Sequence, residues 1–295
     1  MDMKLILENF KKFEQKVLLE QSGMEKVADF LANPQVPLAQ YVAVLKKYAS
    51  EPEFRKLAAA GQTDGDPSDE EVSVQRTSAK AGNLIATQAE IGFDNSLADQ
   101  MKNKYNSTKT ALGLEGTPII MPSADDPPPA ILVWNGKYIL DGHHRWSQVA
   151  MTNPTGVVAI DNVTGPALDT EEEALKAMQL AIAAAAGKVV TKPFKGENLM
   201  NVSPQKVADY VLQNITDEVL NLLVQANKIE SPDKQLAAEY YADNLNAIKS
   251  KKGKFSREKS MPQAGKSGVA QDTVNKVLGT GKINFDSPKT SDVES

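Results

Sequence analysis

The only two histidines in the chain are adjacent, His143 and His144, in the run Ile139-Leu140-Asp141-Gly142-His143-His144-Arg145-Trp146. Imidazole changes charge closest to neutrality, and an arginine fork grips paired oxygens, so this run has the groups to bind an anion and move a proton. The elements that must position it can be read on either side. Ile131 to Trp134 is a short apolar run, Asn135-Gly136 is a two-residue hairpin turn, and Tyr138 to Leu140 is a second run. Trp146-Ser147-Gln148-Val149-Ala150-Met151 reads as a helix. Asp141 to Arg145 therefore marks a strand-to-helix junction.

Such a junction points backbone N–H groups and the positive end of a helix dipole outward, which favours an anion, most often a phosphate. Asp141 can cap the helix, Gly142 lets a ligand come close, and Arg145 can hold phosphate oxygens. His144 could donate to the same oxygens or move a proton near neutral pH. The plainer alternative is an Asp cap followed by an exposed first turn. A metal is a further alternative, but neighbouring helical side chains diverge by about 100°, so His143 and His144 do not easily chelate one ion. With no cysteine and no third histidine, a zinc set lacks completion. Magnesium carried in with a nucleotide needs few protein ligands and stays open.

The segment resembles the ParB/sulfiredoxin superfamily, in which a short strand leads through a glycine-containing turn into a phosphate-binding helix. Asp-Gly-His-His-Arg is close to the form in the ParB-like free serine kinases and in uncharacterised ParB-like proteins, phage ones included. A second block, Leu84-Ile85-Ala86-Thr87-Gln88-Ala89-Glu90-Ile91 followed by Asp94-Asn95-Ser96-Leu97, looks like the family's first-strand exit and helix. The resemblance covers roughly residues 71 to 162. It implies an α+β fold, a small mixed-sheet module flanked by helical regions. It also implies ATP or ADP, with Mg2+, bound by Asp141, Gly142, His143, His144 and Arg145. Glu90 would be the base toward a small hydroxyl substrate, with His144 beside it in catalysis. The departures matter as well. Sulfiredoxin-like chemistry needs a cysteine where His143 stands, and a chain without cysteine excludes it. The Gly-Glu-Arg-Arg turn and helix-turn-helix of chromosome-partitioning ParB proteins are not found, which argues against centromere binding.

A chain of 295 residues can hold one sizeable core or two small ones. A net charge of -5 argues against a protein that coats nucleic acid, though not against a local basic patch. Zero cysteines suits a reducing interior. With no 18-residue apolar run and no signal-peptide pattern at the start, a cytoplasmic location is the expectation, or a virion if the gene is a phage's.

Residues 1–60 read as helices: an amphipathic one through Leu5, Ile6, Phe10, Phe13, Val17 and Leu18, a second from Met24 to Ala32, and a third opened by Pro37. They read as core packing, or alternatively, for an exposed first helix, as a surface that docks on a protein partner or a membrane surface. Residues 61–71 read as a linker and 72–165 as the phosphate-binding module. Within the module, Val72 to Val74, Thr117 to Met121 and Gly156 to Ile160 read as strands, and Asp94 to Tyr105 as a helix. Asp125-Asp126-Pro127-Pro128-Pro129 reads as a stiff surface loop. Residues 166–248 read as a C-terminal helical lobe, with a capping box at Thr170 to Glu173 and caps at Ser203-Pro204 and Ser231-Pro232. Residues 249–295 read as a disordered tail whose cluster from Lys249 to Lys259 could touch nucleic acid.

Three functions stand at this point. One is a nucleotide-binding enzyme that moves a phosphoryl group from ATP or ADP to a hydroxyl. Another is a ParB-like nuclease or nucleic-acid-binding protein. The last is a non-enzymatic phage-particle component that keeps the module as a scaffold.

Overall fold

Five strands form one mixed sheet: β1 (Ser73–Lys80), β2 (Ile85–Ala86), β3 (Ile131–Trp134), β4 (Tyr138–Asp141) and β5 (Val157–Thr164). Their order is β1-β5-β3-β4-β2, with β1/β5 and β3/β4 antiparallel and β5/β3 and β4/β2 parallel. The computed structural model describes residues 25–33, 35–54, 73–122, 128–164, 170–189 and 191–261. The apolar stripe from Leu5 to Leu18, the linker at 61–71, Asp125 with Asp126, and the chain beyond 261 lie outside them.

The β3–β4 hairpin is local in origin. Asn135 and Gly136 take φ of 47° and 66°, the pair of left-handed residues that a two-residue turn needs to match strand twist. Period-2 alternation then splits the hairpin between two cores. Ile131, Val133 and Ile139 join one buried cluster, and Leu132, Trp134 and Leu140 join another. β1 closes the far edge with Gln75, Arg76, Thr77 and Ser78 exposed, and Arg76 forms an ion pair with the buried Asp161 of β5.

Helices cover both faces. On the first lie α3 (Phe93–Leu97), α4 (Ser107–Ala111) and α5 (His143–Thr152), together with α7 (Pro204–Asn214), α8 (Asp217–Gln225) and α9 (Lys234–Lys249). On the second, α2 (Leu38–Tyr48) and α6 (Glu171–Ala186) pack against Leu132, Trp134 and Val163 through Leu38, Val42, Ala174, Leu175 and Met178. The short helix α1 (Glu25–Ala32) packs with α2 and α6 in a third cluster. Residue 166 is therefore no boundary in packing. Trp146 and Met151 of α5 share one continuous core with Val207, Leu223, Tyr241 and Leu245, while α6 belongs to the opposite face.

Helix starts follow short-range chemistry. Thr170 and Glu173 form the reciprocal box, Thr170 Oγ1 accepting the Glu173 N–H at 3.2 Å and Glu173 Oε2 the Thr170 N–H at 2.9 Å. Ser203 Oγ accepts from Lys206 N–H at 3.1 Å, ahead of Pro204. Four readings need correction. Ser231 does not cap α9; Asp233 does, accepting from Gln235 and Leu236 at 2.6 and 3.1 Å. Asp94 to Tyr105 is not one helix: the α-helix ends at Leu97, and Asn103 and Tyr105 adopt positive φ beyond it. Thr117 to Met121 contributes a single bridge, Ile119 to Val158, rather than a strand. Residues 251–261 are ordered rather than tail-like, as Ser260 and Met261 are buried. Among the described residues, no helix is long and apolar enough to cross a membrane.

Candidate functional site

β4 ends at Asp141, and the chain turns through Gly142 into α5. Gly142 has φ 93°, which side-chain-bearing residues rarely adopt, and a Cβ there would stand 2.9 Å from Arg145 Nη2. Gly142, not Asp141, is the cap residue, and no side chain caps the helix. The first-turn N–H groups of α5 therefore have no side-chain acceptor at the cap position. Asp141 instead lies 3.6 Å from Arg145 as an ion pair one helical turn apart. Arg145 also donates to the Ala130 carbonyl at 3.3 Å, while its Nε is enclosed without a partner. Trp146, fully buried, donates its indole N–H to the Ala81 carbonyl at 2.8 Å and so pins the helix to the chain ahead of β2.

The two histidines face different surroundings. His143 is buried, and its Nε2 accepts from the backbone N–H groups of Thr87 and Gln88 at 3.3 and 3.2 Å. Two donors aimed at Nε2 assign the ring proton to Nδ1 and leave no room for a second proton. Burial first, then the charges of His144, Arg257 and Arg145, hold its pKa down to about 3. His143 is thus a neutral latch between α5 and the exit of β2, and its Nε2 cannot also serve a phosphate. His144 is half-buried and accepts the Gly92 N–H at Nε2, 3.3 Å away. Its pKa falls to about 4, mainly through burial, then through Arg257, against the opposing pull of Asp141. A proton shuttle near neutral pH is therefore not what this imidazole provides; at neutrality it offers a neutral Nδ1–H donor.

Glu90 is brought to the same place by the segment that receives both histidines. Thr87 donates its hydroxyl to the Ile139 carbonyl at 2.6 Å, tying the β2 exit to β4. Asn198 then braces the next residues, accepting from Ile91 N–H at 3.0 Å and donating to Ala89 O at 3.2 Å. The Glu90 carboxylate faces residues 251–261: its Oε2 accepts the Arg257 N–H at 2.8 Å.

That C-terminal segment is a strap laid along β2 and its exit. Lys251 O accepts from Ala86 N–H at 3.0 Å, Thr87 O from Phe255 N–H at 3.1 Å, and Phe255 O from Ala89 N–H at 2.8 Å. Gly253 makes the approach possible, since a Cβ there would fall 2.2 Å from the Thr87 carbonyl carbon. The lysines read as a nucleic-acid contact are partly committed. Lys249 donates to the Val202 carbonyl, Lys252 to Asn201 at 3.2 Å, and Lys254 lies 3.7 Å from Glu171. Arg257, read in the sequence only as part of the basic cluster, lies close enough to both histidines to lower their proton affinity. The available signal was compositional: the chain has four arginines, Arg55, Arg76, Arg145 and Arg257, and only one sits in the lysine cluster.

The structure thus gathers Asp141, Gly142, His143, His144, Arg145 and the Glu90 segment into one region and adds Arg257. Among the described residues, no group of three or more His, Cys, Asp or Glu side chains could hold a metal ion. A nucleotide-borne Mg2+ needs only one or two carboxylates, and Asp141, half-exposed at the turn, fits that lesser demand. Compared with known proteins, the chain matches no family model, no curated sequence and no solved structure.

Proposed function

We propose that this chain binds a nucleotide at the Asp141 to Arg145 turn and transfers a phosphoryl group from ATP or ADP to a hydroxyl, as the resemblance to ParB-like serine kinases suggests. The observation that carries the reading is the start of α5: a glycine-opened helix N-terminus, uncapped by any side chain, with Arg145 folded beside it. Backbone N–H groups of the first turn, the Arg145 guanidinium and the Nδ1–H of His144 supply donors for phosphate oxygens. His143 acts indirectly, holding the turn at a set distance from the β2 exit. Mg2+ accompanying the nucleotide would neutralise phosphate charge, with Asp141 the side chain that would hold it.

In the transfer, the substrate hydroxyl oxygen attacks the terminal phosphorus while its proton passes to the Glu90 carboxylate. The bond to the bridging oxygen breaks, and the shortened nucleotide leaves with that electron pair. Oε2 of Glu90 is occupied by the Arg257 N–H, so the proton goes to the other oxygen. Calorimetric titration with ATP, ADP and CTP, with and without Mg2+, tests the binding step beside the Arg145→Ala variant. Saturable binding that falls more than tenfold in the variant supports the pocket; binding of equal strength in both removes Arg145 and the reading with it. A screen for phosphorylated products, beginning with free serine, then tests the transfer.

A further inference from the structure

We infer that the outer edge of β1 pairs with the same edge of a second copy of this chain, antiparallel about a twofold axis at Thr77, so that two five-stranded sheets join into one. The inference is independent of the nucleotide reading.

The two edges of the sheet are treated differently. β2, only two residues long, is covered: Ala86 N–H donates to the Lys251 carbonyl at 3.0 Å, and Phe255 bonds Thr87 and Ala89 just beyond it. β1 closes the other end of the order and runs for eight residues with no proline, no glycine and no break in its register with β5. Edges that stay apart are usually short, bulged, or guarded by proline or by a charge held over the edge. Arg76 is the mid-strand charge, and it is turned inward: its Nε and Nη2 both donate to Asp161 of β5, the latter at 3.2 Å. Gln75, Thr77 and Ser78 are exposed and uncharged.

The ladder fixes which backbone groups face out. Ala81 N–H donates to the Gly156 carbonyl at 2.8 Å, continuing the register that pairs Lys80 with Val157. Antiparallel pairs alternate between bonded and non-bonded, so Ala79, Thr77, Gln75 and Ser73 bond to β5. β5 agrees, because Val157 O, Ala159 N–H and Val163 O are taken on its other side by Ile119 and Asn135. Val74, Arg76 and Ser78 therefore point N–H and C=O away from the sheet, and Lys80 its N–H. Among the described residues, nothing bonds to these backbone groups.

That edge is complementary to itself. With Thr77 on the axis, Arg76 exchanges bonds with Ser78 of the second copy, and Lys80 donates to Val74. No like charges stand opposite, and the two Thr77 side chains meet, a favourable cross-strand pair. Moving the axis one residue, to Arg76 or to Ser78, sets Arg76 against itself or against Lys80, which is repulsive. Moving it further shortens the ladder. A contact one strand wide falls short of the about 1,200 Å² that stable complexes bury, so the dimer is weak and concentration-dependent.

Sedimentation velocity of the full chain over about 5 to 500 μM should show monomer passing to dimer. Ser78→Pro removes an outward N–H and no bond to β5, so it should weaken dimerisation at least about tenfold while thermal unfolding is unchanged. The chain has no cysteine of its own, so Thr77→Cys places a single thiol on the axis. Non-bonded neighbours there have Cα atoms about 4.5 Å apart, within disulfide reach. On mild oxidation Thr77→Cys should cross-link into a dimer and Gln75→Cys, which faces Ala79 of the second copy, should not. The cysteine pair decides the matter if Ser78→Pro loses its fold. A wild type that is monomeric throughout, a folded Ser78→Pro that associates like the wild type, or cross-linking of Gln75→Cys as readily as Thr77→Cys overturns the inference.

Discussion

The hairpin and helix of residues 131–152 supply their own turn, ladder and helical bonds, whereas residues 251–261 borrow most of theirs from Ala86 to Glu90. The first region is buried on both faces of the sheet, with Val133, Ile139 and Trp146 inaccessible. The second is a strap with no regular structure of its own, held by a few backbone bonds, one glycine approach and a buried methionine. Local opening free energies follow buried contact and bonded backbone, so the strap belongs to the low-stability end and the hairpin to the high end. Arg257, one of the four charged groups gathered at the candidate site, therefore sits on the less stable of the two parts. Binding should fail before folding does.

His143 ties the first region to Thr87 and Gln88, in the segment on which the strap docks, and removing it should have the largest effect. His143→Ala leaves the N–H groups of Thr87 and Gln88 buried without their acceptor and opens a void, a loss of about 3 kcal/mol. Urea unfolding checks this; a loss under about 1 kcal/mol would mean the latch does not couple strap and helix. Gly253→Ala comes next. Its Cβ meets Thr87 backbone, which cannot yield as a flexible side chain would, so undocking should cost about 2 kcal/mol. The loss should be local: amide exchange speeds at Ala86 and Ala89 while the β3–β4 ladder is unchanged. Equal acceleration in both would erase the contrast between the regions.

Acid should weaken the join as well. The folded pKa of His143, about 3, lies below the unfolded 6.5, so the unfolded chain takes up a proton first as pH falls. The stability contributed by the neutral ring is complete above pH 6.5 and is lost progressively toward pH 3. At pH 5 the loss is about 2 kcal/mol from His143, and His144 acts with the same sign. Stability measured from pH 7.5 to 5 should fall in the wild type and fall less steeply in His143→Gln; superimposable curves would refute the buried neutral latch. The smallest effect tests a place remote from both regions. Ser203→Ala should cost about 1 kcal/mol through its cap on α7 and leave nucleotide titration unchanged.

The strand-turn-helix around His143 and His144 was legible in the sequence, and so were the helix starts at Thr170 and Ser203. Each depends on a single residue or on neighbours within one helical turn: Asn135-Gly136 for the turn, Thr170 with Glu173 for the box, Gly142 for the change of direction. Sequence composition misled over Asp94 to Tyr105, where two left-handed residues, Asn103 and Tyr105, interrupt an otherwise helical stretch. What tertiary structure alone decided was the use of these parts. Thr87 and His143 are 56 residues apart, so no spacing rule could say that one histidine would be locked and its neighbour left at the rim. Nor could composition show that a lysine-rich stretch would dock on β2 and bring the Arg257 backbone to Glu90. Short-range hydrogen bonds and backbone preferences are written in neighbouring residues; burial, proton affinity and convergent charge arise from which distant segments share a surface.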